Sequence, residues 1–150
     1  MRAYNGFTPA QRAKAGAWMR VQWNSGAIPR PVRCCACGQE KGILDAHTED
    51  YSEPYAAGKT DEFPLCFRCH MLVHCRFNGR ETFCRYHGSI MEGDLYAPFY
   101  TRNFNAIIEQ HLEGGTPEII ERRAPPARDV FKEIVNYRLP HKDPKHGTTE

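Results

Sequence analysis

Cys34-Cys35-Ala36-Cys37 is followed, after 28 intervening residues, by Cys66-Phe67-Arg68-Cys69-His70, and His74 comes four residues later. A C-x-x-C turn brings two sulfurs to one point. Two such turns around a short segment read as a four-thiolate site, the closed tetrahedral cage that zinc takes when its role is structural. Cys34, Cys37, Cys66 and Cys69 are therefore the expected ligands of a structural Zn²⁺. This constrains the fold more than any other feature, because the chain between the turns must be short, compact and returned to its start. Seven cysteines, an odd number, suit a disulfide framework poorly. Reduced thiols and a cytoplasmic chain are expected.

A chain of 150 residues supports one domain with appendages. Hydrophobic residues make up 41% and the mean hydropathy is −0.64, which allows only a small core. Metal binding would relieve that shortage, since its free energy is also folding free energy. No apolar run approaches the ~18 residues of a membrane span. Met1 to Phe7 lacks the apolar core of a signal peptide.

Charge is unevenly placed. Residues 1–39 hold Arg2, Arg12, Lys14, Arg20, Arg30 and Arg33 and no acid. Residues 40–65 hold seven acids against two lysines, a sum of −5. The basic arm is interleaved with Tyr4, Trp18 and Trp23, which suits phosphate contact with some base stacking. The candidate nucleic-acid contacts are Arg12, Lys14, Arg20, Arg30 and Arg33, with Arg68 and Arg76 further on. The competing reading is a solvated basic surface with both tryptophans in the core.

Local patterns divide the chain into four segments: a basic helix and linker over 1–31, a cysteine-knuckle module over 32–77, a helical extension over 78–139 and a mobile tail over 140–150. Thr8-Pro9-Ala10-Gln11 is a capping box with proline at the first helical position. It predicts a helix from about Pro9 to Asn24 with Ala10, Ala13, Ala17 and Val21 as its apolar face and Trp18 and Trp23 beside it. Gly42 to His47 and Phe63 to Leu65 read as short strands around a loop from Glu53 to Asp61. Phe67 to Phe77 reads as a helix. Asn78-Gly79-Arg80-Glu81 can cap a further helix to about Met91, and others are predicted from Asn103 to Leu112 and from Ala127 to Leu139, with a short helical turn starting at Thr116-Pro117. The class is small α+β.

On a helix His70 and His74 lie one turn apart on one face, and Cys69 points about 100° away from His70. Thiolates and imidazoles can then serve two sites. His47, on the preceding strand, offers a third imidazole. Three histidines leave coordination positions for water or a phosphate oxygen, the catalytic style of metal binding. Cys35, Cys75 and Cys84 read as packing residues. The last two, with His87, form no familiar ligand spacing.

Asp45-Ala46-His47-Thr48-Glu49-Asp50-Tyr51-Ser52-Glu53-Pro54, followed by Leu65-Cys66-Phe67-Arg68-Cys69-His70 and His74, resembles the HNH nucleases of phages and bacteria, a branch of the ββα-metal superfamily. Their sequences read like C-x-x-C, then A-H-H-x-D-Y-S-x-P, then L-C-x-x-C-H-x-x-x-H. The match covers residues 34–77. The resemblance implies a zinc-stabilised ββα-metal module with flanking helices, in a bacterial cell or a phage-infected host. Structural zinc would sit on the four cysteines. A second divalent ion (Mg²⁺, Mn²⁺ or Zn²⁺) would sit on His47, His70 and His74, polarising the scissile phosphate. In that family the second of the tandem histidines is the general base. Here that position is Thr48, whose hydroxyl cannot accept a proton near neutral pH as imidazole does. No asparagine stands between Tyr51 and Cys66, so the middle letter of the family's name is missing. Glu49 or Asp50 is the candidate substitute base. If the strand continued past His47, period-two alternation would put Glu49 on the face of His47.

Three functions remain open on these residues: a catalytically degenerate HNH-like module that binds DNA or RNA, an active metal-dependent DNA endonuclease, and an adaptor whose zinc module and later helices hold a protein partner.

Overall fold

A computed structural model describes residues 2–137. The described residues form a small mixed fold of five helices and two antiparallel sheets of two strands each. No helix among the described residues is long and apolar enough to cross a membrane. Contacts gather the described chain into two compact units. One takes residues 2–30, 48–62 and 132–137; the other takes 31–47 and 63–131.

The second unit carries both metal-ligand groups. Strand β1 (Leu44–His47) pairs antiparallel with β2 (Phe63–Cys66), with Leu44 opposite Cys66 and His47 opposite Phe63. Asp45 and His47 are the buried positions of β1, as period-two alternation requires, and Leu44 and Ala46 are half-buried. Helix α2 (Phe67–His74) follows β2 without a break and tightens into a 3₁₀ turn at Cys75–Phe77. Beyond it run α3 (Arg80–Met91), β3 (Asp94–Tyr96), α4 (Phe104–Ile107), which passes into a π-helical turn at Ile108–Leu112, and β4 (Ile119–Arg122). The core beneath α2 and α3 consists of Phe63, Leu65, Phe67, Leu72, Val73, Phe83, Tyr86, Ile90 and Phe131, each at most 6% exposed. Phe131 meets Phe83 and Tyr86 edge-on at 5.5 and 5.9 Å.

The sheet of β3 and β4 is not foreseen by the sequence patterns. Residues 119–122 form a strand rather than continuing a helical turn from Thr116-Pro117. All four residues of β4 are exposed, so no alternation marks it. Gly93 fixes its register: a Cβ there would fall 1.9 Å from the Arg123 carbonyl oxygen, while Arg123 N donates to Gly93 O at 2.8 Å. The last helix, α5, spans only Val130–Val135. The end of the predicted helix at 138–139 and the predicted tail at 140–150 lie outside the described residues.

In the first unit Thr8 and Gln11 form the expected capping box at the start of α1 (Pro9–Ser25): Gln11 N donates to Thr8 Oγ1 at 3.2 Å and Thr8 N donates to Gln11 Oε1 at 2.8 Å. The expected apolar face is wrong. Ala10, Ala13, Ala17 and Val21 are all exposed, and Ala15 and Met19 are the buried pair. Alanines carry little apolar area, so the orientation goes to the face with Met19 and the half-buried Trp18, whose ring lies 5.7 Å from Tyr55. Ahead of α1, Asn5 and Gly6 both take positive φ (52° and 81°) in a two-residue turn that pairs Tyr4 with Phe7.

Candidate metal centres

The four cysteine sulfurs of the predicted zinc site lie within 4.8 Å of one another. Local geometry explains each half. In the first knuckle Gly38 N donates to Cys34 O at 2.9 Å and Cys34 N to Gln39 O at 2.8 Å, with Gly38 at φ 83°. Cys35 N then donates to Pro64 O at 2.8 Å, which fastens this turn to β2. In the second knuckle Cys66 ends β2 and is the N-cap of α2, its sulfur accepting from Cys69 N at 3.4 Å. The knuckle is therefore the first turn of a helix.

A metal ion such as zinc fits this group. Four ligands at a Zn–S distance of about 2.3 Å define a tetrahedron with edges of about 3.8 Å. Cys37 Sγ and Cys66 Sγ are 3.8 Å apart. Contact with Cys34 and Cys37 raises the Cys66 thiol well above its ordinary pKa, and burial followed by Cys34 does the same for Cys69. Burial also works against ionisation of Cys34, but hydrogen bonds from Cys37, Cys66 and Cys69 outweigh it and hold that thiol low. Without a cation, burial and mutual contact therefore oppose ionisation of Cys66 and Cys69. A dication reverses this by taking the protons off all four. Tyr86, 3% exposed, places its hydroxyl 3.1 Å from Cys69 Sγ, where it would donate to a metal-bound thiolate.

The predicted histidine group also comes together. His47, 1% exposed on β1, and His70 and His74, half-buried on α2, offer ring nitrogens within 4.8 Å of one another. His70 Nε2 and His74 Nε2 are 3.2 Å apart. That approaches the edge of about 3.3–3.4 Å expected for imidazoles held tetrahedrally at about 2.0–2.1 Å. Asp45 Oδ2 accepts from His70 Nδ1 at 2.9 Å, which leaves Nε2 as the lone-pair nitrogen. Arg102 grips the same carboxylate with Nη1 on Oδ2 at 3.0 Å and Nη2 on Oδ1 at 2.6 Å. Burial alone would raise the Asp45 pKa, but the His70 and Arg102 hydrogen bonds prevail and hold it well below the usual carboxylate range.

The candidate bases are placed differently. Thr48 is 3% exposed; its hydroxyl donates to Lys59 O at 2.8 Å, lies 3.1 Å from Asp50 O, and accepts from Asp50 N at 3.0 Å. Glu49 is 2% exposed. The Tyr4 hydroxyl donates to Glu49 Oε2, and Asn5 Nδ2 donates to Oε1 at 2.9 Å. Asp50 caps its own loop, with Oδ1 accepting from Ser52 N at 2.9 Å and Ser52 Oγ at 2.6 Å.

The seven candidate basic contacts fall into both units. Arg20 and Arg33 are exposed, and Lys14 approaches Glu53 at 3.7 Å. Arg30 lies over the Trp23 ring at 5.2 Å, and Arg12 over the Tyr4 and Tyr51 rings, each at 5.3 Å. Arg76 is half-buried, donating to Val73 O at 3.0 Å. Arg68 is a correction. It is 4% exposed and bonds Gln110 Oε1 at 2.7 Å, His111 Nε2 at 2.8 Å and Ala97 O at 3.0 Å, so it is a core residue with no surface to offer a phosphate. Cys84 is also exposed rather than packed, while Cys35 and Cys75 are half-buried. His87 pairs with Asp129 at 2.8 Å.

No protein-family model, curated protein or solved structure matches the chain.

Sequence reasoning missed Asp45, Arg102 and Tyr86. Asp45 had a usable signal, since it stands two residues before His47 and a strand puts both on one face. Arg102 and Tyr86 had none: they lie 57 residues from Asp45 and 17 from Cys69 in sequence.

Proposed function

We propose that this chain is an HNH-like nucleic-acid-binding protein, stabilised by zinc on Cys34, Cys37, Cys66 and Cys69 and catalytically degenerate, with DNA as the preferred partner. Its histidine group would hold a second divalent ion, which supplies Lewis-acid charge to a phosphate oxygen. The observation that carries the degenerate reading is the state of Thr48 and Glu49. The threonine hydroxyl is committed to its own loop, and the glutamate carboxylate is committed to Tyr4 and Asn5. Neither is presented as a proton acceptor for water, and a missing general base costs about 10²–10⁴-fold in rate. Arg20 and Arg33 remain exposed for phosphate contact.

A second reading, the active endonuclease, draws on the same histidines. Asp45 engages His70 through Nδ1, an arrangement that serves a catalytic ion as well as a retained one. Supercoiled plasmid with Mg²⁺ or Mn²⁺ separates the two. The degenerate reading expects intact plasmid together with duplex binding that weakens steeply with salt. Robust nicking that disappears in His70→Ala would replace it with the endonuclease. Absence of duplex binding even at low salt would remove nucleic acid from both.

A further inference from the structure

We propose that Arg102 is a phosphate-contacting residue of the histidine centre, held in position by Asp45. The proposal rests on the metal-binding reading of His47, His70 and His74 given above, and it adds the residue that would grip the ligand beside the ion.

The carboxylate of Asp45 joins two groups. Its Oδ2 accepts from both His70 Nδ1 and Arg102 Nη1, at 2.9 and 3.0 Å, and its Oδ1 accepts from Arg102 Nη2 at 2.6 Å. The guanidinium is thus separated from a ligand imidazole by a single carboxylate. The Asp45 side chain is 10% exposed and that of Arg102 is 53% exposed, so the arginine turns one edge inward and leaves the other to solvent. A guanidinium has five N–H donors. Two are used on Asp45, and among the described residues Arg102 makes no other hydrogen bond. The remaining donors form the planar fork that suits phosphate oxygens.

The backbone around Arg102 is fixed before any ligand arrives. Asn103 N donates to Thr101 O at 2.9 Å, and Asn103 Oδ1 caps α4 by accepting from Ala106 N at 3.1 Å. The ring of Phe67, itself 1% exposed, lies 5.9 Å from the guanidinium carbon. The ligand class is a phosphate group, either within a phosphodiester chain or free.

The test uses the full chain with zinc on the cysteines and Co²⁺ on the histidines, whose visible bands differ from those of a thiolate site. Dimethyl phosphate and inorganic phosphate are titrated separately while the histidine-site band is followed. In the wild type a phosphate shifts the band. Arg102→Gln requires about tenfold more phosphate, the loss expected for one charge-assisted contact, and Arg102→Lys falls between. Co²⁺ affinity in Arg102→Gln stays within about threefold of wild type, whereas Asp45→Asn lowers it by about 10–100-fold. A response to dimethyl phosphate supports a diester ligand, and a response to inorganic phosphate alone supports a free one. Titration of Arg102→Gln identical to wild type, or no response to either phosphate in the wild type, overturns the proposal. Duplex DNA binding is measured apart from this. Its absence beside an intact phosphate response would sink the nucleic-acid reading and leave the role of Arg102 standing.

Discussion

Thr48→Val separates the structural from the chemical role of the position at which the resembled family keeps its base. Valine has nearly the shape of threonine and lacks only the hydroxyl. That hydroxyl is the partner of Lys59 O at 2.8 Å and of Asp50 N at 3.0 Å, in surroundings where Thr48 is 3% exposed. Removing it leaves the part-buried Lys59 carbonyl and the buried Asp50 N–H unsatisfied, at about 1–3 kcal/mol each. Relaxation of the loop returns part of this, so the expected loss is about 2–4 kcal/mol. Urea unfolding of the metal-loaded protein reads it as a lower midpoint at unchanged slope. Metal content stays as in the wild type, because no ligand is altered. Plasmid cleavage, whatever its wild-type level, changes little beyond the loss of folded protein. A destabilisation below about 0.5 kcal/mol would show that these hydrogen bonds are not made. A tenfold or greater loss of cleavage in protein shown to be folded would show that the hydroxyl takes part in chemistry.

His111 makes stability fall with acid. Burial first, and then the Arg68 charge beside it, lower its pKa from 6.5 to about 4, so the folded state keeps the ring neutral where the unfolded state protonates it. Its contribution is complete above pH 6.5, declines as pH falls toward 4 and totals about 3 kcal/mol. His111→Gln should flatten that part of the pH–stability profile, and parallel profiles would contradict the assignment. Tyr86→Phe removes the hydroxyl 3.1 Å from Cys69 Sγ and should weaken zinc retention by about tenfold in competition with a chromophoric chelator; unchanged retention would exclude a role for that contact. Stripping metal from the four-cysteine group should unfold the β1–β2 and α2 region, visible as lost helical circular dichroism that zinc restores. A chain that keeps its helicity without metal would show that the apolar core suffices.

Much of the site is legible in the sequence because its spacing is local. A C-x-x-C turn, an H-x-x-x-H pair on one helical face and a strand leading into the helix are each set by backbone geometry over a few residues, and the capping box of α1 is equally local. The same holds for Thr48: the sequence states which side chain stands there. It does not state where the hydroxyl goes, because Lys59 is 11 residues away across a loop without periodicity. The basic pattern counted Arg68 with the surface arginines, and only its packing against Gln110, His111 and Ala97 makes it a core residue. The α1 face was misjudged because four small or exposed apolar residues imitate a stripe, whereas Met19 and Trp18 contribute more buried area. Strand β4 has no buried positions from which alternation could be seen. Composition and spacing by themselves determined which atoms could meet a metal ion. Tertiary structure alone decided which polar groups support those atoms and which are spent elsewhere. The physical reason is that a hydrogen bond between distant residues depends on how the elements pack, and no short stretch of chain encodes that.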